Sequence, residues 1–127
     1  MKKVILLIAF IIAQFPSFSQ TANWSLISFT PAKSLYSICC LNFDTVVAVG
    51  DTGYIIRTTN SGVNWVSVAS NTSNTLYKVC FVNDTIGFAV GANGTVLKTT
   101  NYGQSWINIG INTKMSLIDM SFINKGY

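Results

Sequence analysis

Few side chains in this 127-residue chain are of a type that carries out acid–base chemistry. The chain has no histidine and no glutamate, and its four carboxylates belong to Asp44, Asp51, Asp84 and Asp119. General acid–base catalysis near neutral pH usually relies on a histidine, or on a carboxyl group whose pKa is shifted by its surroundings. Asp44, Asp51 and Asp84 fall in predicted loops and turns, where aspartate is common for conformational reasons. The sequence therefore predicts no catalytic residue.

The three cysteines are the remaining candidates for chemistry or metal binding. Cys39 and Cys40 are adjacent in a predicted strand, so their side chains should point to opposite faces of the sheet. Cys39 and Cys80 occupy equivalent positions in a repeat, and such positions in neighbouring units are usually too far apart for a disulfide. We interpret the three as small buried apolar side chains. A zinc site would need histidine or more closely spaced cysteines, so no metal ion and no cofactor is predicted.

The aspartates and cysteines lie within a sequence repeat of 41 residues, which determines the predicted structure around them. Trp24, Trp65 and Trp106 are each 41 residues apart, and the octads Thr58–Trp65 and Thr99–Trp106 share the pattern Thr-Thr-Asn-x-Gly-x-x-Trp. When residues 24–65 are aligned on residues 65–106 without gaps, 14 of the 42 positions are identical. A fixed period of this length indicates one supersecondary unit that is repeated.

Each unit is predicted to contain four short strands, because runs of β-branched and aromatic residues alternate with turns rich in Gly, Asn and Asp. The predicted strands of the first unit are 35–41, 45–49, 54–59 and 65–69, and those of the second are 76–82, 86–90, 95–100 and 106–109. No segment shows the 3.6-residue apolar period of a helix. Four antiparallel strands in about 41 residues form a blade of a β-propeller, so the predicted fold class is all-β.

The recurring octads are interpreted as structural turns rather than as binding sites. Thr and Asn side chains can bond to backbone N–H groups within their own turn, and Gly adopts a backbone conformation that other residues resist. The Trp opens the next strand and can pack its ring under the turn. The residues assigned to this role are Thr58, Asn60, Gly62, Trp65, Thr99, Asn101, Gly103 and Trp106.

The octads resemble the Asp-box of the BNR repeat, with Asn in place of the usual Asp. Together with Phe81, Gly87–Gly91, Val96–Asn101, Gly103 and Trp106, they resemble the repeat of the photosystem II assembly and stability factor-like propellers. The resemblance covers about residues 35–127. It implies a propeller whose boxes lie on the rim, away from a central channel that binds ligands. It also implies an arginine-rich patch for partner subunits, whereas this chain has only Arg57.

The first residues resemble a secretory signal peptide. Lys2 and Lys3 precede ten apolar residues, 4–13, and small residues follow at 17 and 19, so cleavage is predicted after residue 19 or 20. Ten apolar residues are too few to span a membrane, which takes about 20. Removing residues 1–19 takes two lysines with it, which leaves six basic residues against four acidic ones, a net charge of +2 that is too small for a nucleic-acid interface.

The rest of the chain, 20–127, is predicted to be an incomplete propeller and the N-terminal part of a longer one. Its parts are a closing strand at 24–29, blades at 35–69 and 76–110, and the start of a third blade at 115–127. The predicted location is the periplasm, the cell surface or the medium, without a stable membrane span after signal cleavage.

The predicted function is that of an exported, non-enzymatic scaffold that binds a protein or a carbohydrate and no nucleic acid. One alternative is part of a sialidase-like BNR-repeat glycoside hydrolase, whose catalytic carboxylates and arginines would lie beyond residue 127. The other is a photosystem II assembly factor-like role, for which the support is analogy of fold.

Overall fold

A computed structural model describes residues 33–123 of the chain. These residues form two four-stranded antiparallel sheets, each with its strands in sequence order, and contain no α-helix. The strands of the first sheet are β1 (Leu35–Cys40), β2 (Val46–Gly50), β3 (Ile55–Thr58) and β4 (Val66–Val68). Those of the second are β5 (Leu76–Phe81), β6 (Gly87–Gly91), β7 (Val96–Thr99) and β8 (Ile107–Asn108). The predicted all-β fold of four-stranded blades is confirmed.

The two sheets have matching registers, as expected for copies of one unit. Leu35 pairs with Gly50 in the first sheet, and Leu76 pairs with Gly91 in the second. The first strands of the two sheets, β1 and β5, contact each other, and we call them the innermost strands. Each carries an irregularity directly after its Leu–Gly pair, between Leu35 and Ser37 in β1 and between Leu76 and Lys78 in β5. The repeated sequence therefore encodes the same bulge twice.

Tight turns between the second and third strands follow the predicted Gly-rich segments. Each is a single 3-10 turn, at Asp51–Gly53 and at Ala92–Gly94. Gly53 has a φ of 70° and Gly94 a φ of 67°, the left-handed conformation that favours glycine. A side chain at Gly53 would also collide with the carbonyl oxygen of Thr72, so both the backbone angle and the space require glycine.

The hydrophobic core lies between the two sheets. Its members come from both of them: Val47, Val49 and Ile55 from the first, and Leu76, Val79, Ala89, Leu97 and Trp106 from the second. All five residues of β2 are buried, because this strand lies inside its sheet and is covered on both faces. Each blade would expose an apolar face on its own, so the packing of one blade on the next supplies the burial.

Eight strands occur at the eight predicted places, with two informative differences. Trp65 and Trp106 lie directly before β4 and β8 and do not belong to the strands. The segment 111–123, where a third unit was expected to begin, contains no strand. It nevertheless contacts the second sheet, since the N–H of Leu117 donates to the carbonyl oxygen of Gly91 at 2.9 Å. A third blade that begins in this segment remains a prediction.

Three predictions concern residues beyond those that the structure describes. The signal peptide at 1–19, the closing strand at 24–29 and the last residues of the expected third unit, 124–127, fall in this group. Within 33–123, the structure has no helix of sufficient length and apolar character to cross a membrane.

Candidate functional site

The first repeated octad closes on itself through side-chain hydrogen bonds. The Thr58 hydroxyl donates to Asn60 Oδ1 at 3.0 Å and accepts from the N–H of Gly62 at 3.0 Å. Asn60 Oδ1 also accepts from the N–H of Asn64 at 2.9 Å. Thr58 is buried, so these bonds satisfy polar groups that water does not reach.

The second octad repeats this pattern almost atom for atom. The Thr99 hydroxyl donates to Asn101 Oδ1 at 3.0 Å and accepts from the N–H of Gly103 at 3.1 Å, while Asn101 Oδ1 accepts from the N–H of Ser105 at 3.0 Å. We call the segments Thr58–Trp65 and Thr99–Trp106 the box turns. Their Thr and Asn oxygens bond to the turn itself, which is the arrangement of a structural element.

The tryptophans of the two box turns have different surroundings. Trp106 is 3% exposed and meets the ring of Phe81 edge to face, with centroids 6.0 Å apart. A side chain at Gly103 would come within 2.9 Å of Cγ2 of Val47, a residue of the first blade. Trp106 therefore packs where the two blades meet, whereas Trp65 is only partly buried. The indole N–H of Trp106 has no hydrogen-bond partner within the described residues.

Both box turns lie at one end of the sheets. The N–H of Ser61 donates to the carbonyl oxygen of Asp44 at 3.0 Å, and that of Tyr102 donates to the carbonyl oxygen of Thr85 at 3.1 Å. Asp44 and Thr85 belong to the loops that connect the first and second strands of their blades. We call this end, formed by the box turns and these loops, the box end.

The tight turns lie at the opposite end, because antiparallel strands reverse direction at each connection. The N–H of Asp51 donates to the carbonyl oxygen of Ser34 at 2.9 Å, and the N–H of Ala92 donates to that of Thr75 at 2.9 Å. We call this end, formed by the two tight turns and the residues that precede β1 and β5, the turn end. The box turns and the starts of the innermost strands therefore belong to separate surfaces.

The innermost strands, β1 and β5, lie next to each other. The N–H of Val79 donates to the Ser37 hydroxyl at 3.2 Å. Further out, Arg57 Nε donates to the carbonyl oxygen of Tyr102 at 2.7 Å, and partial burial lowers the pKa of the guanidinium. Arg57 is the chain's single arginine, and this bond places it at the junction of the two blades.

An aromatic pair marks the start of the innermost strands. Tyr36 and Tyr77 stand at equivalent repeat positions, and their ring centroids are 6.0 Å apart with a tilt of 52°. Tyr36 belongs to β1, the innermost strand of its blade, and it is nevertheless 52% exposed to solvent. Exposed aromatic rings in a defined geometry are typical of binding surfaces.

Asp51 lies beside this pair. Its Oδ1 accepts a hydrogen bond from the Thr75 hydroxyl at 3.2 Å, which joins the tight turn of the first blade to the second blade. Desolvation raises the pKa of the Tyr36 phenol above its ordinary value, and the nearby Asp51 carboxylate raises it further. We call Tyr36, Tyr77, Asp51 and Thr75 the turn-end cluster.

Sequence reasoning missed this cluster. Leu35-Tyr36 and Leu76-Tyr77 are identical pairs 41 residues apart, and their spacing alone indicates only the repeat. Asp51 was interpreted as a turn residue, which it is, since its carbonyl oxygen accepts from the N–H of Tyr54 at 2.9 Å. The available signal was that Asp51 is charged where the second blade has Ala92, a difference that turn geometry does not explain.

The segment after the second blade follows its innermost strand. Lys78 Nζ and Asp119 Oδ1 are 3.3 Å apart, and the rings of Phe88 and Phe122 have centroids 5.3 Å apart. The Lys78 and Asp119 side chains are both exposed, so their ion pair contributes little to stability. Ser37, Lys78 and Asp119 occupy equivalent positions, separated by 41 residues each, along the inner edge.

The cysteines do not form a site among the described residues. All three are free; Cys39 and Cys80 are partly buried, and desolvation raises the pKa of the Cys39 thiol. Cys40 is exposed, so its interpretation as a buried apolar side chain is wrong, because its side chain points away from the core that Cys39 contacts. Within 33–123 there is no group of three His, Cys, Asp or Glu side chains placed to hold a metal ion.

Comparison with known proteins finds similar structures but no matching sequence family. No protein-family model matches the chain, and no curated protein does. The solved structure of YCF48 bound to D1 peptide matches 65% of this chain and 28% of its own, with a TM-score of 0.57 and 23% identity. An ancestral GH74 enzyme matches 65% of this chain and 14% of its own, with a TM-score of 0.49 and 24% identity.

The likeness to the YCF48 structure is a likeness of fold. The chain spans about 28% of the YCF48 chain that it matches, and an identity of 23% shows a common fold. The GH74 match is below the level at which it supports an argument. The described residues form two blades of a β-propeller that resembles the YCF48 structure.

Proposed function

We propose that this chain supplies blades to an exported, non-enzymatic β-propeller that binds an extended protein segment at its turn end. The observation that carries the proposal is the tyrosine pair on the innermost strands, in which Tyr36 is exposed and Tyr77 is partly buried. Tyrosine offers a large rigid ring and a polar tip, which suits the recognition of protein surfaces. The solved YCF48 structure was determined with a bound peptide, so a propeller of this fold can bind one.

The distribution of polar groups supports binding at the turn end and not at the box end. The Thr58, Asn60, Thr99 and Asn101 side chains bond within their own turns. At the turn end, by contrast, the Asp51 carboxylate and the Tyr36 ring are accessible to a partner. A ligand needs groups that remain available after folding, and the turn-end cluster offers them.

The aspartates of this chain lend no support to the glycoside hydrolase alternative, whose catalytic carboxylates were expected beyond residue 127. Such an enzyme needs two carboxyl groups about 5–9.5 Å apart on either side of a glycosidic bond. Asp44 belongs to the box end and bonds to the Ser61 hydroxyl at 2.8 Å, Asp51 belongs to the turn end, and Asp119 pairs with Lys78. Asp44 and Asp51 are at opposite ends of the first blade and do not form such a pair, while Asp84 lies in the box-end loop of the second blade, as Asp44 does in the first. The photosystem alternative has only the likeness of fold in its favour.

Selection of peptides from a random display library on the purified chain tests the binding function. We expect enrichment of peptides whose binding is lost in the Tyr36→Ala/Tyr77→Ala double variant. The matched control is Phe43→Ala, which removes a ring that is 79% exposed in the loop of the box end. Failure to enrich any peptide, or equal loss of binding in the control, would contradict the proposal.

Export is tested separately by expressing the full chain in a Gram-negative host and fractionating the cells. The expected product is periplasmic or extracellular and begins at residue 20 or 21, as read by N-terminal sequencing. A cytoplasmic product that retains Met1 would overturn the export prediction and leave the binding proposal intact.

A further inference from the structure

The turn-end cluster has the chemistry of a receptor for a positively charged planar group. We propose that it holds an arginine side chain of the bound segment, with the guanidinium against the Tyr36 and Tyr77 rings and an N–H donated to the Asp51 carboxylate. This inference rests on the proposed function, because it assumes that a protein segment reaches the turn end.

The first support is the unbalanced charge of Asp51. Within residues 33–123 the single ion pair is that of Lys78 with Asp119, so Asp51 has no basic partner there. Its Oδ1 accepts a hydrogen bond from the Thr75 hydroxyl at 3.2 Å, and the Tyr36 hydroxyl is within hydrogen-bonding reach of the same carboxylate, which can accept further bonds. Asp51 therefore keeps both its charge and part of its accepting capacity for a ligand.

The second support is the geometry of the rings. The Tyr36 and Tyr77 rings lie against each other, with centroids 6.0 Å apart and a tilt of 52°, and Tyr36 remains 52% exposed. Arginine stacks on such faces more often than lysine and can also direct N–H groups to a carboxylate. A guanidinium stacked on the exposed part of the Tyr36 ring, beside Asp51, would make both types of interaction at once.

The third support is a contact of the same kind within the chain. Lys33 Nζ lies 5.8 Å from the centroid of the Tyr54 ring, directly after the tight turn that carries Asp51. A basic side chain therefore already rests on a tyrosine at the turn end. The raised pKa of the Tyr36 phenol agrees with a carboxylate close to that ring.

The cluster occurs once in the described blades. Ala92 replaces Asp51 in the second blade, and Ile118 takes the place of a tyrosine at the next equivalent position. Position 92 of the second blade and position 118 after it thus lack the charge and the ring that positions 51 and 77 supply. This difference would let one arginine of a ligand fix the register of the whole segment.

The experiment titrates the full chain with four capped pentapeptides of sequence Gly-Gly-x-Gly-Gly, followed by amide NMR shifts. The variable residue is arginine, citrulline, lysine or glutamate; citrulline keeps the shape of arginine and removes its charge. Binding is measured for the natural chain, for Asp51→Asn and for Asp44→Asn. Asp44→Asn is the matched control, because it removes the same charge from a carboxylate that also bonds a hydroxyl, at the box end.

We expect saturable shifts around Tyr36 and Tyr77 with the arginine peptide, and weaker binding of the citrulline peptide by about 3- to 10-fold. Asp51→Asn should remove that difference, and Asp44→Asn should keep it. Tyr36→Phe should retain binding because the ring face is unchanged, which separates stacking from a role of the phenol.

Two results would overturn the inference and distinguish it from the proposed function. Peptides that bind at Tyr36 and Tyr77 with equal affinity for arginine and citrulline, or with preference for glutamate, would refute the arginine site and leave the protein-binding site. If none of the four peptides shifts these resonances while library selection still enriches peptides, the arginine site is again wrong. If selection also fails, both proposals are wrong.

Discussion

The two ends of the blades differ in how far the repeat preserves them. At the box end, Thr, Asn, Gly and Trp occur at the same places in both blades and make the same hydrogen bonds. At the turn end, the glycines are kept, but the other residues of the turn differ between the blades. The first blade has Asp51, Thr52 and Tyr54 where the second has Ala92, Asn93 and Thr95. A feature needed by every blade is repeated, whereas a ligand site needs to be built only once. The difference agrees with a structural role for the box end and with the binding role that we propose for the turn end.

The largest effect on stability is expected from removing the buried tryptophan ring of the box end. Trp106→Ala should lower the free energy of unfolding by about 3–5 kcal/mol, because it leaves a cavity between the two blades. Urea unfolding followed by circular dichroism measures the loss. Trp65→Ala is the matched variant and should cost less, since Trp65 is only partly buried. Equal costs would show that burial between these blades does not set the contribution of the tryptophan.

A smaller effect tests the hydrogen bonds of the box turn without creating a cavity. Thr99→Val keeps the volume of the side chain but leaves the N–H groups of Asn101 and Gly103 without their acceptor. We expect a loss of about 1–3 kcal/mol in the free energy of unfolding, because Gly103 is buried. The neighbouring exposed residue provides the control, and Thr100→Val should change stability by less than about 0.5 kcal/mol.

A stabilising substitution sharpens the comparison at the turn end. Thr52 has a φ of 50°, which is unfavourable for a β-branched residue, and the equivalent Asn93 has a φ of 54°. Asparagine tolerates this conformation better, so Thr52→Asn should raise the free energy of unfolding by up to about 1 kcal/mol. Differential scanning calorimetry would detect it as a higher Tm. A lower Tm would mean that the Thr52 side chain makes a favourable contribution of its own.

The smallest effect is electrostatic and concerns the titration of Tyr36. Its pKa is raised above the ordinary 10.0 by desolvation first and then by the Asp51 carboxylate. Asp51→Asn should therefore lower this pKa while leaving it above the ordinary value, as measured by the NMR shifts of the ring protons. Because the unfolded chain releases the proton first, the Tyr36 contribution to stability should decline as the pH rises past 10.0. An unchanged pKa in the variant would place Asp51 too far from the ring to act on it.

The fold was predictable because its determinants are local and repeated. The box turns, the tight turns and the β-branched runs each specify their own structure, and the 41-residue period shows that they belong to one unit. The boundaries differed where side-chain packing decides, as at Trp65 and Trp106, which lie before their strands. Burial of Trp106 depends on Val47 and Phe81, which are distant in sequence, so the sequence alone did not distinguish the two tryptophans.

The turn-end cluster could not be predicted in the same way. It joins Tyr36 and Asp51 of one blade to Tyr77 and Thr75 of the next, and this proximity depends on how the blades pack. No spacing of residues within one repeat predicts this cluster. The sequence showed only that a carboxylate at position 51 is absent from the second unit, which is a weak signal until the structure places it beside two rings.

The most direct test of this division measures stability and peptide binding together in Tyr36→Leu and Thr99→Val, with a peptide enriched by selection. Tyr36→Leu removes a ring that is 52% exposed, so the urea midpoint should stay close to that of the natural chain while the peptide affinity falls. Thr99→Val should lower the midpoint and leave the affinity of the folded chain unchanged. Loss of affinity in Thr99→Val under conditions where it remains folded, with retention in Tyr36→Leu, would contradict the account.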